Sequence, residues 1–416
     1  MASFRIIGEN AYKAKNEIAA SSSGVRNSAL EEIAKALDKH RRNILDQNRI
    51  DVKNADAMGI KSSLVDRVYL SEKRIDGMID GVNKLISLED PIGVIEGGVI
   101  RPNGLRIVKK RVPMGVIGII YESRPNVTVD AASLCIKSGN AVILRGGKEA
   151  IYSNTVLVEI MREAVSKAGL PRDSIQLITD TTRDSAVSMM KANGVIDLLI
   201  PRGGAGLINS VVQNATVPVI ETGVGNCHIY VDSDANIGMA IDIIDNAKTS
   251  RPGVCNAAET LIVHKSVAEE LLPALKKRLD KSNVQLRGCE LTRMILGDKI
   301  IPAAESDYKE EFLDYILAVR VVDNIYDAIE HIRRYSTGHS ECIVTDNIHA
   351  AELFQNSIDA AAVYVNASTR FTDGFEFGLG AEIGISTQKL HARGPMGIKE
   401  LTTYKYLING NGQIRE

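Results

Sequence analysis

One cysteine in the sequence lies in a context that suits a nucleophile. Cys255 follows Arg251-Pro252-Gly253-Val254 and precedes small and polar residues, so a tight turn is expected there rather than an apolar run. A sulfur on such a turn can be accessible and close to backbone N–H donors, which is the environment of a reactive thiol. The alternative is a small buried hydrophobe, and the local sequence does not decide between the two.

Two charged residues upstream of Cys255 could assist it, Glu221 at 34 positions and Arg251 at four positions before it. Glu221 opens the glycine-rich segment Glu221-Thr222-Gly223-Val224-Gly225-Asn226. Three roles stay open for its carboxylate: a base for Cys255, a group lining the substrate site, or a structural residue at a domain boundary. Arg251 would lower the pKa of a nearby thiol or bind a departing phosphate, and a surface ion pair is its alternative.

Length and composition bound the class of protein. The chain has 416 residues, of which 25% are charged and 44% hydrophobic, with a formal net charge of −2. This length predicts two or three domains, and the balanced charge gives no sign of a nucleic-acid or membrane partner. Small-molecule chemistry is therefore the expected class. Neither a signal-peptide core nor an apolar run of about 20 residues is found, so a soluble intracellular protein is expected.

Cysteine and histidine usage adds to this picture. The five cysteines have no regular spacing, which disfavours a disulfide framework or zinc ribbon and favours a reducing compartment, the cytoplasm. The seven histidines share no metal-ligand spacing, so no metal site is expected.

The elements that must position these residues follow from the hydrophobic pattern. Residues 9–90 have helical spacing, and Asn103-Gly104 between two β-rich runs predicts a hairpin over 92–112. Short apolar runs then alternate with helical stretches, which predicts doubly wound α/β domains with parallel sheets. The strands are expected at 115–120, 141–144, 175–178, 195–200 and 217–220, and after Glu221 at 228–231, 260–263, 316–319, 342–344 and 362–365.

With these elements in place, the chain resembles the aldehyde dehydrogenase superfamily, in which a catalytic cysteine follows a Glu-x-Gly-x motif. Pro113-Met114-Gly115-Val116 and Gly139-Asn140-Ala141-Val142-Ile143-Leu144 are similar to landmarks of the whole superfamily. The stretch from Val365 to Thr387 resembles the signature of one branch, whose members reduce L-glutamyl 5-phosphate. The resemblance covers essentially the whole chain. It implies reduction of that acyl phosphate by NADPH, which gives L-glutamate 5-semialdehyde and phosphate in proline biosynthesis.

The resemblance also implies an aldehyde dehydrogenase-like α/β fold of two doubly wound domains. Residues 1–91 and 113–220 would form the cofactor-binding domain, 221–390 the catalytic domain and 391–400 a return linker. Glu221 and Cys255 would both face the cleft between the two domains.

Two segments are similar to the subunit-joining parts of the superfamily. The hairpin 92–112 and the tail 401–416 would form an oligomerisation flap, because unpaired strand edges seek a partner. A homo-oligomer built on a dimer is therefore expected. Association with the upstream glutamate kinase is a further expectation.

For the chemistry, the resemblance makes Cys255 the nucleophile that forms a thioester as phosphate departs. The developing oxyanion needs donors, and relatives supply an amide from Trp-Asn-Phe-Pro, where this chain has Glu122-Ser123-Arg124-Pro125-Asn126. Arg124 takes the place of the amide and Asn126 lies two residues later. We favour Asn126 as the oxyanion donor and Arg124 as a phosphate clamp, with loop-shaping hydrogen bonds as the alternative for both.

The cofactor must bind without a GxGxxG fingerprint, which is missing here as in aldehyde dehydrogenases. Two glycine-rich turns follow predicted strands, and the second opens a helix whose N-terminus suits phosphate. Lys148 with Arg145 would meet a 2′-phosphate, which favours NADP over NAD. The candidate cofactor-binding residues are Arg145, Gly146, Gly147, Lys148, Arg202, Gly203 and Gly204.

Further site residues are implied by the resemblance. Glu311 is placed like the ribose-binding glutamate of relatives, although Asp314-Tyr315 stand where Gly-Pro is usual. The candidate substrate-binding residues are Arg124, Arg251, Asn366, Ser368, Thr369 and Arg370.

Two other classes of function compete with a reductase. The first is a thioester-forming cysteine enzyme or acyltransferase without hydride chemistry, which the two glycine-rich turns disfavour. The second is a catalytically silent assembly or regulatory partner, which the intact turn around Cys255 disfavours.

Overall fold

The computed structural model describes residues 2–60 and 62–415, which divide into two compact units. Unit 1 comprises the residues up to Thr222, Gly378–Gly384 and the residues from Met396 onward. Unit 2 comprises Gly223–Phe377 and Ile385–Pro395. The units differ from the sequence-based domains, since residues 378–384 and 396–400 belong to unit 1.

The helices and strands follow the expected alternation. The helices are α1 (Ala2–Ala20), α2 (Ser23–Lys39), α3 (Arg41–Ala57), α4 (Ser62–Val68), α5 (Glu72–Ser87), α6 (Pro125–Lys137), α7 (Ile151–Lys167), α8 (Arg183–Met190), α9 (Ala205–Asn214), α10 (Ile237–Thr249), α11 (Lys265–Leu279), α12 (Glu290–Leu296), α13 (Ile325–Tyr335) and α14 (Ile348–Ser357). The strands are β1 (Ile95–Ile100), β2 (Arg106–Pro113), β3 (Val116–Tyr121), β4 (Ala141–Arg145), β5 (Ile175–Leu177), β6 (Leu198–Arg202), β7 (Cys227–Val231), β8 (Ala258–His264), β9 (Gln285–Gly288), β10 (Ile301–Pro302), β11 (Ile316–Val322), β12 (Ser340–Val344), β13 (Ala362–Val365), β14 (Ile385–Ser386), β15 (Gly394–Pro395) and β16 (Thr402–Asn409).

Unit 1 is built on a four-stranded parallel sheet in the order β5-β4-β3-β6. Every residue of β3 is buried, as expected for a strand in the middle of a parallel sheet covered on both faces. The helical lead-in supplies part of this cover. On α2 the apolar residues repeat at helical spacing, and the hydroxyl of Ser22 caps the helix by accepting the N–H of Val25.

A second sheet of unit 1 joins distant parts of the chain. β1 and β2 form an antiparallel hairpin, and β16 pairs with β2 from Thr402 opposite Pro113 to Asn409 opposite Arg106. The predicted Asn-Gly turn is present, with Gly104 at a φ of +85° that suits glycine. Every residue of β1 and most of β16 are exposed.

Unit 2 is built on a seven-stranded sheet in the order β10-β9-β11-β8-β7-β12-β13, in which every pair is parallel. Alternate residues of the central strands face opposite layers. Ile229 and Leu261 pack with α10 and α11, whereas Tyr230 and Ile262 pack with α13 and α14. Helices therefore cover both faces, which makes the unit doubly wound.

Two details of the predicted strands were wrong. Residues 217–220 make only an isolated bridge, between Val219 and Leu199, with two backbone hydrogen bonds to Leu199. β9, β10 and α12 were not predicted. β9 is short and has a charged and a polar residue among its four, so it lacks the apolar run that marks its neighbours.

Candidate active site

Cys255 lies on a turn between the end of α10 and the start of β8, as the Pro-Gly sequence predicts. The Ala257 N–H donates to the carbonyl oxygen of Val254 at 3.1 Å, which closes the turn. The Cys255 side chain is half-buried, whereas Cys135, Cys227 and Cys342 are buried. The turn thus presents one thiol with partial access to solvent.

Two residues, one in the glycine-rich segment and one in β7, hold the backbone of this turn. The Cys227 thiol donates to the carbonyl oxygen of Cys255 at 3.2 Å, and burial raises the pKa of Cys227, so the donor stays protonated. Gly225 approaches the same carbonyl so closely that a Cβ at that position would lie 1.5 Å from its oxygen. Only glycine fits there.

Asn256, which sequence reasoning missed, fixes the turn from the other side. Its side-chain amide donates to the carbonyl oxygens of Arg370 at 3.3 Å and Thr372 at 2.9 Å. Thr369 Oγ1 donates to the Asn256 carbonyl oxygen at 2.8 Å, and the Arg370 guanidinium donates to Asn256 Oδ1. The segment 369–372 is therefore packed directly against the residue that follows Cys255.

The structure also brings two guanidinium groups to the cysteine turn. Arg370 Nε donates to Ser250 Oγ at 3.1 Å, at the start of the turn. Burial lowers the pKa of Arg370, and the nearby positive charge of Arg251 lowers it further, whereas Asp373 and Cys255 raise it. An anionic ligand bound beside the thiol would offset the repulsion between these two cations.

Asn366 and Ser368, two further candidate substrate-binding residues, have different surroundings. Asn366 adopts a φ of +55°, and its amide exchanges two hydrogen bonds of 2.9 Å with the backbone of Thr345 after β12. Ser368 is buried, and its hydroxyl accepts the Arg370 N–H at 3.3 Å. Asn366 is thus engaged at the carboxyl ends of β12 and β13, whereas the Cys255 turn lies at the amino end of β8.

Glu311 contacts the glycine-rich segment. Its Oε1 accepts the N–H of Gly225 at 2.8 Å. Glu311 is therefore joined through Gly225 to the Cys255 carbonyl. Its assignment to a cofactor ribose stays a prediction.

In unit 1, the glycine-rich turn after β4 is tightly packed. Arg145 donates to the carbonyl oxygens of Thr181 at 2.8 Å and Thr182 at 3.0 Å, so it fixes the loop after β5. A Cβ on Gly146 would lie 2.2 Å from Asn154 Nδ2, and one on Gly147 would lie 2.1 Å from Glu149 Oε1. Lys148 is exposed at the rim of this turn.

The turn after β6 opens α9, as predicted. Gly204 is the N-cap residue, and its N–H donates to Glu122 Oε2 at 2.9 Å. A Cβ on Gly203 would lie 2.5 Å from the same oxygen. An anionic oxygen therefore already binds at this helix N-terminus, which is the chemistry that a cofactor phosphate requires.

The candidates on the loop after β3 lie around the start of α6. Arg124 is the N-cap residue of this helix, and Asn126 lies in its first turn. The Asn126 amide donates to Asp130 Oδ2 at 3.0 Å, and burial raises the pKa of Asp130 to about 6 while Asn126 and the nearby Arg202 lower it. A carboxamide has two N–H groups, so this bond leaves a second donor for a substrate oxygen.

Ser123, which sequence reasoning also missed, shapes the same loop. It adopts a φ of +46°, and Glu149 Oε1 accepts both its N–H at 2.8 Å and its hydroxyl at 2.6 Å. The contact between Ser123 and Glu149 joins the loop after β3 to the turn after β4.

Glu221 lies one residue before the point where the chain passes from unit 1 to unit 2. It is half-buried, and the next residue, Thr222, is held by a hydrogen bond of 2.9 Å from its hydroxyl to the Pro201 carbonyl oxygen. The role of Glu221 toward Cys255 stays a prediction.

A buried ion pair lies at the base of the cysteine turn. Lys248 Nζ is 2.6 Å from Glu259 Oε2, and both side chains are fully buried. Neither residue was singled out in the sequence, because their contact depends on the fold of the loop between them.

Acidic, cysteine and histidine side chains do not gather into a metal site in the described part of the chain. Across residues 2–60 and 62–415 no cluster of three or more His, Cys, Asp or Glu side chains could hold a metal ion. None of the helices in these ranges is both long and apolar enough to cross a membrane.

Comparison with known proteins identifies the family. Residues 2–294 match the aldehyde dehydrogenase family. A gamma-glutamyl phosphate reductase of Caldanaerobacter subterraneus subsp. tengcongensis is 59% identical over 408 residues, which are 98% of either chain. One of Clostridium perfringens strain SM101 is 56% identical over 410 residues, which are 99% of either chain.

A solved structure agrees with these relatives. The crystal structure of the gamma-glutamyl phosphate reductase of Thermotoga maritima superposes with a TM-score of 0.95 at 51% identity and covers 99% of both chains. The expected aldehyde dehydrogenase-like α/β fold is confirmed. The chain therefore belongs to the gamma-glutamyl phosphate reductases, within the aldehyde dehydrogenase family.

Proposed function

We propose that this chain reduces L-glutamyl 5-phosphate to L-glutamate 5-semialdehyde and phosphate in proline biosynthesis. Membership of the family supports the reaction. The observation that carries it to named residues is the Cys255 turn, which presents a half-buried thiol beside Arg251 and Arg370. A thiol nucleophile and two cations match an acyl phosphate, which has an electrophilic carbon and an anionic leaving group.

Cys255 starts the proposed reaction. Its thiolate attacks the acyl carbon, the C–O bond to phosphate breaks, and a thioester forms on the sulfur. Arg251 and Arg370 would bind the phosphate in both its attached and departing states, since guanidinium groups fork onto phosphate oxygens. Arg124 remains a proposed second clamp on the same group.

The carbonyl oxygen carries negative charge during attack and needs fixed donors. The proposed donors are the backbone N–H of Cys255 and the second N–H of Asn126. Removing one donor from an oxyanion hole typically costs ~2.7–4 kcal/mol of barrier. Asn256, Thr369 and Cys227 hold the turn, so the Cys255 N–H stays oriented. Asp130 accepts one N–H of the Asn126 amide at 3.0 Å and so helps to orient it.

As a member of the aldehyde dehydrogenase family the chain uses a nicotinamide cofactor. When bound, this cofactor supplies the hydride that reduces the thioester. The residues of unit 1 fit it at the turn after β6, where the N–H of Gly204 at the start of α9 binds an anionic oxygen, here that of Glu122, as it would bind a cofactor phosphate.

We further propose NADPH rather than NADH as the preferred form. Lys148 is exposed beside the Gly146-Gly147 turn and carries a charge that suits a 2′-phosphate. Glu311 is proposed to bind the nicotinamide-side ribose.

The proposal extends to assembly. The exposed sheet of β1, β2 and β16 supports a homo-oligomer built on a dimer, since both of its faces carry apolar residues in contact with solvent. A cytoplasmic location and an association with glutamate kinase are part of the same proposal. The five free cysteines support the first of these.

The reaction run in reverse tests the proposed function. Glutamate semialdehyde, phosphate and NADP are mixed with the protein, and formation of NADPH is followed by absorbance. We expect turnover that requires phosphate. Turnover without phosphate would indicate an ordinary aldehyde oxidation, and no turnover with either NADP or NAD would reject the proposal.

A further inference from the structure

The buried pair of Lys248 and Glu259 closes the loop that carries the nucleophile. Lys248 lies in the last turn of α10, and Glu259 is the second residue of β8. The chain between them contains Arg251 and Cys255, and the 2.6 Å contact of Lys248 Nζ with Glu259 Oε2 joins its two ends. The loop therefore has a fixed base.

Stability alone does not explain this pair. Both side chains are 0% exposed, and removing two charges from water costs about as much as their attraction returns, so apolar residues of similar size often do as well. Burial lowers the pKa of Lys248 and raises the pKa of Glu259, because each charged form loses its contact with water. What an ion pair adds over apolar packing is a fixed distance and direction between two groups.

The second oxygen of Glu259 extends the contact to another segment. Oε1 accepts the N–H of Leu313 at 3.2 Å, and Leu313 adopts a φ of +53°, a strained backbone for a non-glycine residue. Two residues earlier, Glu311 accepts the Gly225 N–H at 2.8 Å. Gly225 in turn lies against the Cys255 carbonyl.

These contacts form a closed ring that includes the backbone of Cys255. It runs from Cys255 along the chain to Glu259, across to Leu313 and Glu311, and through Gly225 back to the Cys255 carbonyl. All of its members belong to unit 2. Such a ring restrains the position and orientation of the Cys255 turn, because a shift of one member displaces the next.

We propose that Lys248 and Glu259 are positioning residues that hold the Cys255 thiol in its attacking geometry, which rests on the proposed function. The pair acts through the backbone of the Cys255 turn and through the 311–313 segment. It takes no proton from the thiol and binds no substrate.

Single and double substitutions separate the effect of an unpaired buried charge from the effect of losing the positioning contact. Lys248→Met leaves Glu259 buried without its cationic partner, and Glu259→Leu leaves Lys248 buried without its anionic one, so each single variant should melt at a lower temperature. The double variant Lys248→Met with Glu259→Leu has neither buried charge and should recover most of the melting temperature. Glu259→Gln, which keeps an acceptor for the Leu313 N–H, is the mild variant.

The decisive readouts are the alkylation rate of Cys255 by iodoacetamide, followed on its peptide by mass spectrometry, and kcat and KM of the forward reaction. In the double variant we expect Cys255 to react at least about tenfold more slowly and kcat to fall by a similar factor. The Glu259→Gln variant should lose less of the alkylation rate and less of kcat. As a matched control, removing the exposed pair with Lys265→Met and Asp323→Leu should change neither rate.

A double variant that recovers both stability and the alkylation rate would overturn the positioning role and leave the pair as packing. If the double variant does not fold, an unchanged alkylation rate in Glu259→Gln with a lowered melting temperature would overturn it equally. Alkylation uses no substrate, so it tests the positioning role even if the protein fails to turn over glutamyl phosphate.

Discussion

At the scale of single residues, the cysteine turn is held mostly by groups that do no chemistry. Cys227 and Thr369 bind backbone oxygens of Cys255 and Asn256, and the Asn256 amide binds the backbone of Thr372. Such bonds contribute little when made, but a buried partner left without one costs much more. The nucleophile therefore depends on polar residues that a list of reactive groups would omit.

The first prediction concerns Cys255 itself. Cys255→Ser should lower the rate of glutamyl phosphate reduction by at least ~100-fold, because a hydroxyl is a far poorer nucleophile than a thiolate at neutral pH. NADPH binding, measured by fluorescence titration, should stay near wild type. A variant that keeps more than a few per cent of the rate would show that another group attacks the substrate.

The second prediction concerns Glu221. If its carboxylate accepts the Cys255 proton, Glu221→Gln should lower the rate at neutral pH, and the loss should shrink as pH rises toward ~8.5, where a thiol ionises unaided. We expect this partial, recoverable loss in a kcat profile over pH. A pH-independent loss with alkylation as fast as in wild type would instead make Glu221 structural.

The third prediction concerns Lys148. Lys148→Ala should raise KM for NADPH about tenfold, or ~1.4 kcal/mol, and leave KM for NADH nearly unchanged, because only NADPH carries the 2′-phosphate. Initial rates with the two cofactors measure this ratio. Equal losses with both would place the lysine elsewhere than at the 2′-phosphate.

At the scale of elements, the fully buried strands were predicted well because their apolar runs are long and end at clear turns. The same reasoning missed β9, whose place in the sheet depends on pairing with β11 rather than on its own pattern. The site residues likewise divide into those visible in the local sequence and those that depend on the fold. Cys255 was found from its local sequence, whereas Asn256 and the Lys248–Glu259 pair act through partners that only the folded chain brings together.

The fourth prediction concerns the close approach of the glycine-rich segment to the nucleophile turn. Gly225→Ala should lower the free energy of unfolding by ~1–3 kcal/mol, because its Cβ would meet a backbone oxygen that cannot move without shifting the turn. Cys255 alkylation should slow in parallel. Gly77→Ala on α5, where a Cβ would meet nothing within 4 Å, is the control, and equal behaviour of the two variants would count against the constraint.

At the scale of the whole molecule, the fifth prediction concerns the exposed sheet. Ile100 and Ile408 are 68% and 59% exposed, and a lysine at both positions should shift the assembly to smaller species in light scattering, since charged edges oppose association. Met294→Lys, at a residue 75% exposed in unit 2, should leave the mass unchanged. An unaltered mass in the Ile100→Lys and Ile408→Lys variant would exclude this sheet as the interface.

The pairing of β16 with β2 has a consequence for synthesis on the ribosome. Because β16 follows unit 2 in the sequence, β2 leaves the ribosome before its partner and keeps one unpaired edge while unit 2 is translated. Open edges invite pairing with other chains. A nascent or prematurely terminated chain should therefore be the aggregation-prone form, and chaperone demand should fall when the last strand is released.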